Sequence, residues 1–153
     1  MWQGASPVTG GRTPRRRARE FALQGLYAWL LNGKSPDEIL SDLAENPLFA
    51  RVNAELCTRL LHGGVREAEA LRGRFAPYLD RPLERLSPVE HALLLLATYE
   101  LAHHPEMPAR AIINEAIEVA KVYGGTEGHR YVNGVLDRLA GDLRPEERAP
   151  QTR

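Results

Sequence analysis

Five arginines lie close together near the start of the chain, at positions 12, 15, 16, 17 and 19, with a single acid, Glu20, beside them. A guanidinium presents a planar fork of N–H donors that matches a phosphate, so such a cluster is chemistry for polyanions. Wrapped on a helix, Arg12, Arg16 and Arg19 project to one side. The same stripe continues through Leu23 to Tyr27, away from a second stripe of Phe21, Ala22 and Trp29 that reads as buried. Arginines with a tyrosine beyond them form a phosphate track ending in a stacking platform, the arrangement that a single-stranded nucleic acid needs. A solvated helix end is the plainer alternative. Against it stands the helix dipole, which makes each arginine of a first turn unfavourable by about a few tenths of a kcal/mol unless an anion is near. The whole chain is neutral, with 20 basic and 20 acidic side chains in 153 residues, so the body beyond Glu20 is mildly acidic and the positive excess sits at one end.

A second group gathers further along, where Thr126 frees backbone amides at a helix start and His129 and Arg130 add donors. Tyr131 brings a ring, with Glu127 and Arg138 as helix neighbours, but it also borders the apolar stripe Val132, Val135, Leu136 and Leu139. On spacing alone it reads more simply as a half-buried core residue. The other candidates are weaker. His103 and His104 point to different faces ahead of Pro105 and suit a helix C-terminus better than a metal. The run Gly124 to Gly128 follows a helix rather than a strand and lacks the lysine of a phosphate loop, so it ends one helix and caps the next. Glu115 and Glu118 fall opposite the Ile113 and Ala116 stripe, where Glu118 reaches Lys121, which is a solvated face rather than an acid–base pair. Cys57, the one cysteine, excludes an internal disulfide and a thiolate zinc cluster and reads as a small core residue. No catalytic set, metal site or cofactor motif emerges.

The elements that carry these residues are helices. Thr13-Pro14, Ser35-Pro36-Asp37-Glu38 and Ser87-Pro88-Val89-Glu90 each set a cap hydroxyl before a proline, and the latter two complete a capping box. The pattern predicts helices over 14–32, 36–45, 48–73, 88–103, 109–123 and 127–140, a short turn near 81–86, and no strand. The helix over 88–103 is apolar around most of its circumference and belongs in the middle. Gly63 and Gly64 mark either a close helix crossing or a break. Residues 1–13 read as a flexible basic leader, 14–143 as one helical domain and 144–153 as a flexible tail. The longest apolar run, Ala92 to Ala97, falls far short of the roughly 20 residues of a spanning helix, and no secretory signal is present, so a cytoplasmic protein is expected.

The string Arg15-Arg16-Arg17-Ala18-Arg19-Glu20, followed by Ala22, Gln24, Leu26 and Tyr27, resembles the start of the NusB family of bacterial transcription antitermination factors. So does Ile113-Asn114-Glu115-Ala116-Ile117-Glu118-Val119-Ala120-Lys121, followed by Tyr131-Val132-Asn133-Gly134-Val135-Leu136-Asp137. The resemblance spans about Pro14 to Leu143. It implies an all-α fold of two packed three-helix subdomains forming one compact domain, no catalysis and no cofactor or metal. It also implies binding to the boxA RNA of ribosomal RNA leader transcripts together with NusE, a small ribosomal subunit protein, within the RNA polymerase antitermination complex. Carried over by position, the RNA contacts are Arg15, Arg16, Arg17, Arg19, Tyr27, Glu127, His129, Arg130 and Tyr131, and the NusE side holds Tyr27 and Glu90. Departures from the family pattern are Tyr131 where phenylalanine is common, Gly128 in place of a polar residue, and a longer leader. Two other readings stay beside it: a helical module like the one that opens some ribosomal RNA cytosine methyltransferases, and a scaffold that binds only proteins.

Overall fold

In the computed structural model the described residues are 13–123 and 126–148, and of Thr126, Glu127 and Arg148 only the backbone is described. They form eight helices and, among them, no strand. These are α1 (Pro14–Asn32), α2 (Pro36–Leu43), α3 (Ala54–Arg66), α4 (Ala68–Phe75), α5 (Pro88–His103), α6 (Ala109–Tyr123), α7 (Thr126–Leu143) and α8 (Pro145–Arg148). Short 3-10 turns occupy Pro47–Arg51, Ala76–Tyr78 and Leu83–Arg85. The caps are those that the sequence sets out. Thr13 Oγ1 accepts from the Arg16 amide at 3.0 Å, and Ser35 with Glu38 and Ser87 with Glu90 close reciprocal capping boxes. At the far end of α1, Gly33 adopts the left-handed conformation (φ 73°) and donates to Trp29 O at 2.9 Å.

Two groups of three helices pack against one another, α1 with α2 and α3, and α5 with α6 and α7. The main contact between them is α1 on α5, while α4 bridges the two sides. As its all-round apolarity requires, α5 is the central rod, buried without interruption from Ala92 to Leu101. Gly63 and Gly64 lie inside α3 and mark a crossing rather than a break: a Cβ on Gly63 would collide with the Tyr99 ring, and one on Gly64 would come within 3.0 Å of Leu26.

Three sequence expectations need correction. The helix expected over 48–73 is interrupted twice. Asn53 caps a new start by accepting from the Leu56 amide at 3.0 Å, and the chain bends at Glu67 (φ −102°, ψ 16°), where α4 takes over. Trp29 is half-buried rather than core, with the Arg72 guanidinium 5.7 Å from its ring centre. The flexible tail does not begin at residue 144. Arg144 is 5% exposed and donates to the carbonyls of Leu101, His104 and Met107 at 3.1, 3.0 and 2.8 Å. Those carbonyls lie at and after the end of α5, where helix geometry leaves acceptors to be filled, so α8 continues the folded body. The leader through residue 12 and the tail from residue 149 lie outside the described residues.

Candidate nucleic-acid interface

The basic head of α1 does not present its arginines as one solvent-facing row. Arg15 is exposed. Arg16 is half-buried and grips Glu115 of α6 through both ends of its fork, at 2.8 and 3.1 Å. That hydrogen bond, ahead of the neighbouring charges, raises the Arg16 pKa. Arg17 is buried, with Nη1 3.5 Å from Arg51 O. Arg19 is 3% exposed and forms a bidentate pair with Glu100 in the middle of the fold, at 2.8 and 3.0 Å. His104 Nδ1 meets the same carboxylate at 3.0 Å. Burial pushes the Glu100 carboxyl up, but hydrogen bonds from His104 and Arg19, together with their charges, outweigh it and hold it below its ordinary value. The expected stripe therefore fails at Arg19 and at Leu23, which is fully buried. The reason is that α1 is contacted by α3, α5 and α6 at once, so most of its circumference is interior. Arg12 lies outside the described residues.

Roughly 18 Å along α1 from Arg15, at the helical rise per residue, stands Tyr27, half-buried against the core. Nearby, Gln24 Nε2 donates to Tyr123 Oη at 2.9 Å and ties α1 to the end of α6. Glu90 and His129 line one cavity of 260 Å3, floored by Leu93 and Ala120 and bordered by Gly128. Glu90 Oε1 is engaged in its capping box, and its Oε2 faces Gly128, where a Cβ would sit 3.7 Å away. On α7, Arg130 is exposed and Tyr131 half-buried, and the side chain of Glu127 lies outside the described residues. Tyr131 accepts from the Asp80 amide at 3.3 Å and carries the Arg81 guanidinium 4.0 Å from its ring centre. Arg81 Nε in turn donates to Asp80 Oδ1 at 2.8 Å.

Burial pushes the Cys57 thiol up to about 12, which keeps it protonated and inert. Among the described residues no three histidine, cysteine or carboxylate side chains converge on a point that could hold a metal. None of the described helices is long and apolar enough to cross a membrane.

The sequence model of the NusB family matches residues 16–141. The chain belongs to the NusB family. It is 54% identical over 140 residues to the transcription antitermination protein NusB of Bordetella pertussis, covering 89% of this chain and 91% of that one. A crystal structure of T. maritima NusB matches with a TM-score of 0.76 at 31% identity, over 89% of this chain and 97% of that one. A chain of the crystal structure of antitermination factors NusB and NusE in complex with double-stranded RNA matches with a TM-score of 0.76 at 26% identity, over 83% and 96%. The two three-helix groups are thus the NusB fold, as the resemblance implied. Two residues of the surface around Tyr131 escaped the sequence reading, Asp80 and Arg81. They are an unremarked charged pair before Pro82, and their contact with Tyr131 spans about fifty residues of chain, so no local periodicity signals it. Glu115 was equally opaque. Glu118 does pair with Lys121 at 3.1 Å, as its spacing indicates, whereas Glu115 turns to Arg16.

Proposed function

We propose that this NusB-family chain is a non-catalytic, cytoplasmic transcription antitermination factor that binds boxA RNA of ribosomal RNA leader transcripts together with NusE, and so helps RNA polymerase read through terminators. The observation that carries the reading is the surface at the start of α7, where exposed Arg130 stands beside a ring-bearing Tyr131 in a chain of this family. The RNA contacts are then Arg15, Arg16, Tyr27, Glu127, His129, Arg130 and Tyr131, with Tyr27 and Glu90 toward NusE. Arg17 and Arg19 leave the set and hold α1 in place instead.

The test is fluorescence anisotropy of the full chain with boxA-like RNA, a scrambled strand and a duplex, each with and without NusE. A preference for boxA-like RNA that NusE strengthens, by about 1–3 kcal/mol of reciprocal coupling, supports the reading. Association with NusE and no binding to any RNA leaves a protein-only scaffold and overturns it. Equal binding to the boxA-like strand, the scrambled strand and the duplex overturns the boxA preference and leaves contacts to the phosphate backbone alone.

A further inference from the structure

The segment between the second and third 3-10 turns is fastened to α7 at three successive points. Arg138 Nη2 donates to Tyr78 O at 2.8 Å, the Asp80 amide donates to Tyr131 Oη at 3.3 Å, and the Arg81 guanidinium rests on the Tyr131 ring. Pro82 follows at once and restricts residue 81 to extended backbone. Arg81 is therefore held from several sides, yet its side chain is still 36% exposed. The 4.0 Å between guanidinium and ring centre is van der Waals contact, so no base can enter between them. Whatever approaches Tyr131 from that side meets Arg81 first.

The charge of Arg81 is already matched. Asp80 Oδ1 takes its Nε at 2.8 Å, and the Asp80 side chain is itself 67% exposed. A carboxylate so placed repels a phosphate and leaves the flat, apolar face of the guanidinium as the attractive feature. The two Nη groups make no hydrogen bond to the described residues, which leaves their donors for base or ribose oxygens at the edge of the plane. From these contacts we propose that Arg81 is the outer plate of the RNA-stacking site: an unpaired base stacks on its solvent face, with Tyr131 backing it from behind. The inference rests on the RNA-binding reading above and adds the residue that meets the base.

Arg81→Ala and Arg81→Lys separate a plate from a phosphate anchor. The probe is a fluorescein-labelled single-stranded boxA RNA, titrated with the full chain at several salt concentrations, with a duplex of the same sequence in parallel. A plate predicts that both variants lose roughly three- to thirtyfold in single-strand affinity. It further predicts an unchanged salt dependence and unchanged duplex binding, since duplex bases already stack on each other. The proposal is overturned if Arg81→Ala binds the single strand within twofold of the parent or more tightly, which would mean that the base reaches Tyr131 directly. It is also overturned if lysine restores the affinity while alanine flattens the salt slope by about 0.7, the signature of one lost phosphate contact. A parent chain that binds no single-stranded RNA overturns the functional reading and this one together, whereas an unaffected variant of a binding parent overturns this one alone.

Discussion

Replacing Arg19 by glutamine should unfold the protein at lower temperature without altering how it meets RNA, and Arg15→Gln should do the reverse. Arg19 and Glu100 are 3% and 2% exposed, so the variant leaves a carboxylate in the interior with its guanidinium partner gone. Breaking a buried pair from one side costs about 3–5 kcal/mol. His104 still holds the carboxylate at 3.0 Å, which places the loss near the lower end, about 3 kcal/mol. For a chain of this size that is a fall in Tm of roughly 6–12 °C. Glu100→Gln added to Arg19→Gln removes the orphaned charge and should recover part of the loss. Arg15, exposed at the first turn, should leave Tm unchanged and flatten the salt slope on single-stranded RNA by about 0.7 when replaced. Thermal melting followed by circular dichroism, with RNA anisotropy well below the melting range, reads both quantities. An Arg19→Gln protein that melts like the parent and loses salt dependence would refute the inward placement of Arg19.

Three further outcomes follow from particular contacts. His91 accepts from Arg72 at 2.9 Å, and burial, with the Arg72 charge, pushes its pKa down from 6.5 to about 4. The unfolded chain therefore takes up a proton that the folded one refuses. Stability is full above pH 6.5 and falls toward pH 4, a slope that His91→Gln should flatten in denaturant titrations at several pH values. Glycine-to-alanine changes should split by site. Gly63→Ala meets the Tyr99 ring and should cost about 1–3 kcal/mol of overpacking, more than its helix-propensity gain, whereas Gly73→Ala, with nothing within 4 Å of its Cβ, should stabilise by about 0.5–1 kcal/mol. Arg144→Ala should lower Tm by uncovering the carbonyls of Leu101, His104 and Met107 while leaving RNA affinity as it was.

What could be read from the sequence was local. A serine, a proline and an acid in four consecutive positions are sufficient to start α2 and α5, because the cap bonds are made within that string. The centrality of α5 was equally plain, since a helix without a polar face has nowhere else to go. What stayed hidden was every long-range pairing of charge. Arg19 and Glu100 are 81 positions apart, and Arg16 and Glu115 are 99 apart. A buried arginine with a buried partner looks, in one dimension, like a solvated one. Arg144 was lost in the same way: its pairing with Glu147 three positions on is local, but the carbonyls of Leu101, His104 and Met107 that bury it lie 43, 40 and 37 positions back.

This division of the arginines changes the arithmetic of recognition. Four outward guanidinia would give a salt slope of about −2.8 on a single strand, but of the four only Arg15 is exposed, and Arg16 must share itself with Glu115. Two contacts give about −1.4, hence only about a sevenfold loss between 50 and 200 mM salt. With Arg130 at the far end as a third contact, the slope reaches about −2.1. A clamp so weak in charge positions a strand without choosing it. On the reading proposed above, choice comes from stacked, unpaired bases near Arg81 and Tyr131 and from the surface that a second protein adds beside Glu90. On this account the head of α1 serves the fold first, by fixing α1 to α5 through Arg19, and the RNA second, through the one or two arginines that the fold leaves outside.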